Sequence, residues 1–290
     1  MSNTLVLNSK NIISPNNNVF QYNFLNSGYR VGDNSEISVS SVILPYSFYN
    51  VSTNYKNTTF RILIPTAGTI ASTLDITISD GFYTVNDIQK LIEQKLIENN
   101  YYLINASGDY VFYLALTYNV SSYKIQLIRT LPPIAGSGAG SLPAGWTNPG
   151  WPLPTTTSRV MQLVVFSSSV SNFYKLIGFT PGFSYPSSSN LLSNFDKLSD
   201  FTPVGSNINS IIVRCNLVSN QCAFPSDILD SFGINTSFGS NIIYSPPFDK
   251  ACSIKSGVYT SLTISLQDQD FNDITILDPN TIITLLIKNK

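Results

Sequence analysis

The sequence predicts a mainly β protein, an antiparallel sandwich interrupted by a smaller α+β insertion. Three observations predict it. Apolar and polar residues alternate over many short runs, the period of a strand with one buried and one wet face. Most of these runs fall before residue 70 or after residue 205. The section between them carries the one convincing long amphipathic helix. A chain of 290 residues is long enough for one large or two smaller domains, at about 150 residues each.

Taken in order, the predicted strands of the sandwich begin with 3–8 and 18–24, where Phe20, Tyr22 and Phe24 alternate with Gln21 and Asn23. In 36–44 the apolar parity runs Ile37, Val39 and then shifts to Val42, Leu44, which predicts a bulge near Ser40 and Ser41. The run 58–65 places Phe60, Ile62 and Ile64 around Arg61. After the middle section come 209–218, 240–245, 256–267, with Leu262, Ile264 and Leu266 on one face, and 281–288. Eight antiparallel strands without helical crossovers read as a single eight-stranded jelly roll, the sandwich that limits exposed edges. Its halves are expected at 1–72 and 205–290. Residues 1–17 read either as an arm reaching a neighbour or as an ordinary edge strand.

The inserted α+β module is expected over 73–204. Thr84 and Asp87 form a capping-box pattern at a helix start, and Ile88, Leu91, Ile92 and Leu96 follow on one face, with the helix ending near Asn99 and Asn100. A hairpin over about 110–118 and 122–129 comes next, in which Tyr123, Ile125 and Leu127 alternate with Lys124 and Gln126. A strand near Val160–Phe166 and a short helix around Ser171–Ile177 complete it. Between hairpin and strand, residues 131–158 are crowded with Pro and Gly and read as an exposed loop. The chain's two tryptophans, Trp146 and Trp151, both lie there. They read either as folding back onto the module or as contacts to a subunit or partner, as aromatic anchors do. On the second reading, deleting 135–155 leaves the jelly roll folded and weakens assembly or attachment.

Composition excludes several functions. There are 16 basic and 17 acidic residues and no His. No basic stripe is available to neutralise phosphates, so sequence-specific nucleic-acid binding is not expected. Without His there is no Ser-His-Asp or Cys-His nucleophile and no imidazole metal site. Charged residues make up 11% of the chain, against roughly a quarter in ordinary proteins. Ser and Asn supply the polarity, at about 40 and about 30 residues, well above ordinary usage. The N-terminus lacks a basic region followed by an apolar run, and no stretch reaches the length of a membrane helix. Three cysteines match neither a disulfide framework nor a zinc pattern, and Cys215 alternates with Ile211, Val213 and Leu217 as a small core residue. Asp268 and Asp270 are the best pair of carboxylates, but an Asp- and Asn-rich turn accounts for them. The surrounding run lacks the Gly and terminal Glu of a calcium loop, so no metal is assigned. An enzyme is not suggested.

Three segments carry a family resemblance. The first is Ser40-Ser41-Val42-Ile43-Leu44-Pro45-Tyr46-Ser47-Phe48-Tyr49-Asn50-Val51, followed by Asn54-Tyr55-Lys56-Asn57. The second is Asp80-Gly81-Phe82-Tyr83-Thr84-Val85 leading into the helix, with Lys175-Leu176-Ile177-Gly178-Phe179 closing the module. The third is Leu266-Gln267-Asp268-Gln269 with Ile276-Leu277-Asp278-Pro279 and the strand that follows. In order and spacing these resemble the penton, or vertex capsid, proteins of virophages and Polinton-like viruses. The resemblance implies a single jelly roll assembled as a homopentamer at icosahedral vertices of the virion, put together in the host cytoplasm. It implies contacts to a double jelly-roll major capsid protein and to minor capsid proteins, with no cofactor. The sequence suits that role, because a closed ring needs two different patches per subunit, and weakly charged polar contacts repeated many times are enough to hold it. The competing reading is a carbohydrate- or receptor-binding β-sandwich, since Tyr- and Asn-rich surfaces suit sugars.

Overall fold

The fold was analysed in a computed structural model, which describes residues 2–25, 28–67, 71–136, 140–155, 159–186 and 192–289. It is mainly β, with several antiparallel sheets and two α-helices among the described residues. Its contacts separate into two units, Met1–Phe48 with Asn207–Lys290, and Tyr49–Ser206.

The first unit begins with β1 (Ser2–Leu7), β2 (Val19–Asn23), β3 (Tyr29–Val31) and β4 (Glu36–Pro45). The second holds β5 (Thr59–Ile64), β6 (Ser72–Thr77), α1 (Val85–Glu98), β7 (Leu103–Ile104), β8 (Tyr110–Val111), β9 (Leu114–Asn119), β10 (Lys124–Arg129), β11 (Gln162–Val164), α2 (Phe173–Ile177), β12 (Ser184–Tyr185) and β13 (Phe195–Leu198). The chain then returns to the first unit with β14 (Ser210–Cys215), β15 (Ile228–Gly233), β16 (Asn241–Tyr244), β17 (Cys252–Ser253), β18 (Gly257–Tyr259), β19 (Ser261–Gln267) and β20 (Ile282–Lys288).

Two sheets carry the first unit, in the orders β1-β20-β4-β16 and β15-β14-β19-β2, with β17 added to β4. Every pairing is antiparallel. Alternation sets which face is buried: Ile283, Leu285 and Ile287 in β20, Ile211, Val213 and Cys215 in β14, and Leu262, Ile264 and Leu266 in β19 are all core residues. The register of β20 on β4 passes from Thr284 opposite Ser41 to Leu285 opposite Val39, which leaves Ser40 unpaired. This is the bulge that the parity change predicts, and it keeps Val39 and Val42 buried on either side. Of the two readings of the N-terminal residues, the edge strand holds, because β1 pairs along its full length with β20. The Asn-rich turn after it is tied down too. Asn18 donates its side-chain amide to the carbonyl of Leu266, and Asn17 donates to that of Ile276.

Three strand expectations change. The run 58–65, expected beside the first half of the sandwich, is β5, and it pairs with β6 and β11 in the second unit. Alternation identifies a strand but not its neighbour. The place in the sandwich is taken by β15, whose sequence ILDSFG resembles a turn. Asp230 is tolerated there, nearly buried, because Tyr244 Oη, Lys250 Nζ and the N–H of Ser231 all donate to its carboxylate. The run 256–267 divides at Thr260 into β18, which pairs with β3, and β19.

In the second unit the sheets β12-β11-β5-β6 and β13-β10-β9 contribute, with α1, to one core. The helix starts at the predicted capping box: Thr84 Oγ1 accepts from Asp87 N–H while the Asp87 carboxylate accepts from Thr84 N–H. Ile88, Ile92 and Leu96 are fully buried, each contributing about 2 kcal/mol. Gln89 reaches from the helix to accept the N–H of Leu116 at 2.8 Å, which supplies a partner on the open edge of β9. The hairpin forms as expected, but Tyr123 lies in its turn in a left-handed conformation and is exposed. Helix α2 ends at Gly178, which adopts φ +74 and lies so close to the carbonyl of Phe201 that no Cβ fits. Asn50 donates to the carbonyl of Gly205 at 2.8 Å, so the residues beside the two ends of the unit are bonded to each other.

Candidate functional site

The Pro- and Gly-rich stretch, which carries both tryptophans, is built as a folded loop. Asn148 Oδ1 accepts from the N–H groups of Gly150 and Trp151, while its amide donates to the carbonyl of Trp151. Backbone bonds from Ala67 to Pro152, from Ala135 to Pro154 and between Ile104 and Thr147 hold the loop against its own unit. Trp151 is therefore a core residue, 2% exposed. Its indole N–H donates to the carbonyl of Pro65 at 2.9 Å, and its ring meets Tyr113 and Tyr101 edge-on. Of the two readings of this tryptophan, the structure has Trp151 folded back onto its own module. Trp146 packs on the same core while remaining partly exposed. Residues 137–139 and 156–158 of this stretch lie outside the described residues.

Two clefts of about 390 Å³ open on the second unit. One lies at the start of α1, walled mainly by apolar groups of Phe82, Val85, Ile88, Tyr118, Leu176 and Pro203. The other lies between the short strands β12 and β13, with Phe183, Tyr185 and Phe195 facing Lys197 and Asp200. Burial works to raise the Asp200 carboxyl. Lys197, the Tyr185 hydroxyl and the N–H and hydroxyl of Thr180 together outweigh it and hold the group well below the usual carboxylate range. Burial, with Asp200 beside it, pushes the Tyr185 phenol up to about 12. With both oxygens engaged, Asp200 acts as a structural knot, fastening the 180s turn to β13, and has no proton to exchange at neutral pH. Phe183 is exposed at the mouth.

The remaining candidates from the sequence are structural. Asp268 closes a turn after β19, accepting from the N–H groups of Asp270 and Asn272. Cys215 is buried and its thiol is pushed up to about 12 by desolvation. All three cysteines are free. Among the described residues no group of three His, Cys, Asp or Glu side chains is placed to hold a metal ion, and no helix is long and apolar enough to cross a membrane.

On the outer face of the first unit, Ile282, Ile43 and Ile243 stand directly opposite one another across β20, β4 and β16. Ile282 and Ile243 are exposed, at 40% and 63%. Together they form a short apolar row across three strands. Sequence reasoning did not single it out, since outward-pointing Ile reads as ordinary strand composition. It also passed over Asp200 and Arg129, and it quoted Asn50 within a resembling segment without assigning it a role. For Arg129 a signal was present: the parity of Ile125 and Leu127 continues onto it.

No family model and no curated protein matches the chain. Among solved structures it is similar to that of the selenomethionine-labelled mavirus penton protein, with 14% identity, 100% of this chain and 99% of that chain covered, and a TM-score of 0.49. It is also similar to a chain of the 3.5 Å cryo-electron microscopy structure of the Sputnik virophage, with 14% identity, coverage of 99% and 96%, and a TM-score of 0.41.

Proposed function

We propose that this chain is a structural capsid protein that forms the pentameric vertex of an icosahedral double-stranded DNA virus or virophage. The observation that carries the reading is the strand order of the first unit. Numbering its eight main strands in chain order, first pairs with eighth, second with seventh, third with sixth and fourth with fifth. Four such pairs shared between two sheets support reading the first unit as a jelly roll. The second unit is inserted between the third and fourth of these strands.

The three resembling segments supply the second support. In this chain they end β4, start α1, cap α2 and turn the chain after β19. Each is a place where a side chain of a defined type bonds the backbone or a glycine is required. The low charge and the hydroxyl- and amide-rich surface suit wide, wet contacts to copies of itself and to a double jelly-roll major capsid protein. In this reading the protein works by geometry alone, without a cofactor, in the virion.

The deciding experiment is the mass of the purified protein by light scattering, alone and mixed with the major capsid protein of the same virus. A five-fold species, or a monomer that joins only when capsid protein is added, is the expected result. A stable monomer or trimer indifferent to capsid protein would overturn the proposal and direct attention to glycan binding.

A further inference from the structure

Two arginines of this protein show how a guanidinium is ordinarily settled. Arg214 donates to the Asp227 carboxylate and to Gln267, and Arg61 donates both Nε and Nη2 to Asp75. Arg129 differs. It is the last residue of β10, and the alternation that buries Ile125 and Leu127 sends its side chain to the same apolar face. Only 1% of the residue is exposed. Directly opposite it on β13 is Phe195, whose ring centroid lies 4.2 Å from the guanidinium carbon.

Stacking on an aromatic ring satisfies the face of a guanidinium. Its five N–H groups lie in the plane, where the ring offers nothing. Nε, Nη1 and Nη2 are all buried, and among the described residues none has a hydrogen-bond acceptor. The neighbouring carboxylate, Asp196, follows Phe195 on the strand, is exposed and accepts from Gln126 at 2.6 Å. Burial pushes Arg129 down to about 9, against which Asp196 works only in part, so the group is still a cation at neutral pH. A buried cation with no acceptor on any of its donors is among the most costly arrangements a fold holds. An anion in the plane of the guanidinium resolves charge and donors together.

We propose that Arg129, backed by Phe195, is an anion site that takes a small oxyanion of the carboxylate or phosphate class through parallel N–H···O bonds. The planar fork selects a two-oxygen acceptor over a spherical ion such as chloride. A free ion in solution and a carboxylate on a second protein chain share this chemistry; because the three nitrogens have almost no accessible surface, either enters only as the packing around Arg129 opens locally, which favours the smaller free ion.

The test is thermal unfolding of the full chain in Tris buffer, titrated with sodium phosphate or sodium acetate against sodium chloride at constant ionic strength. A saturable rise in Tm is expected with the oxyanions, of about 3 °C at tenfold excess over Kd, and none with chloride. R129M keeps the apolar volume and is expected to lose that rise. Should R129M fail to fold, saturable phosphate binding to the wild-type protein by calorimetry, weakened in R129K, gives the same answer. Binding of phosphate or acetate by a monomer supports the free ion. Failure of both to bind, with subunit association that is lost in R129K or R129M, supports a carboxylate from a second chain. A wild-type Tm that is flat or rises linearly with every salt alike, with association unchanged in the variants, overturns the proposal.

Discussion

The side chain of Asn50 clasps the backbone of Tyr83, donating Nδ2 to its carbonyl at 2.9 Å and accepting its N–H on Oδ1 at 2.8 Å. The same amide donates to the carbonyl of Gly205. One nearly fully buried side chain thus joins the first residues of the second unit, the approach to α1 and the last residues of the unit. Asn57 repeats the device nearby, donating to the carbonyl of Asn50 and accepting the N–H of Ser52.

Asn50→Ala is therefore expected to destabilise the protein by about 2–3 kcal/mol, because it removes three part-buried hydrogen bonds to the backbone of Tyr83 and Gly205. Asn50→Asp is expected to cost more, since it removes both donations and buries a charge. Urea unfolding measures both. A change under half a kcal/mol in either variant would contradict the assigned role.

Trp151 and Trp146 separate by fluorescence. With Trp146 replaced by Phe, the emission of the buried Trp151 is expected to be blue-shifted, and with Trp151 replaced by Phe the remaining emission moves toward that of a hydrated indole. Trp151→Ala is expected to cost about 3–5 kcal/mol. Deleting residues 135–155 removes Trp151 and Leu153 from the core, so near-UV circular dichroism of the second unit is expected to collapse. A deletion variant with native dichroism would return the loop to the surface role that its composition suggests.

Asp200 and Tyr185 predict a pH dependence at both ends. The folded carboxyl is held below its unfolded value, so it contributes stability that is present above about pH 4 and is lost as pH falls toward the folded pKa. The Tyr185 phenol is raised to about 12. Its contribution is complete below about pH 10 and disappears as pH rises through the folded pKa. Asp200→Asn is expected to flatten the acid limb of stability against pH and Tyr185→Phe the alkaline limb. Identical limbs in variant and wild type would show that the knot carries no linkage.

The cysteines predict an order of labelling by a thiol reagent. Cys222 is exposed and should react first, Cys252 is partly buried and slower, and Cys215 should react only on unfolding. Fast modification of Cys215 in the native protein would show that β14 opens far more readily than its core position implies.

The fold was legible where the signal is local. The β4 bulge follows from the parity change at Ser40, and the start of α1 from a Thr-x-x-Asp pattern, because each depends on residues within a turn or two of one another. It was illegible where the signal is remote. Strand β5 has perfect alternation, yet nothing within it says that its neighbours are β6 and β11. Strand β15 has poor alternation and is a strand because Lys250 and Tyr244, well downstream, satisfy Asp230. The site suffered in the same way. Trp151 in a Pro- and Gly-rich run looks exposed until Asn148 and Pro65 are seen to hold it inward.

By itself the sequence determined a mainly β architecture, a long capped helix in the middle, a surface of hydroxyls and amides with almost no net charge, and the absence of imidazole chemistry. Those follow from composition and from periods of two and 3.6 residues, which are properties of short windows. Tertiary structure alone decided which strands pair, that the tryptophan loop folds inward, and that Arg129 is buried without an acceptor among the described residues. The physical reason is that a hydrogen bond or a buried contact belongs to two places in the chain, and neither place on its own carries the identity of the other.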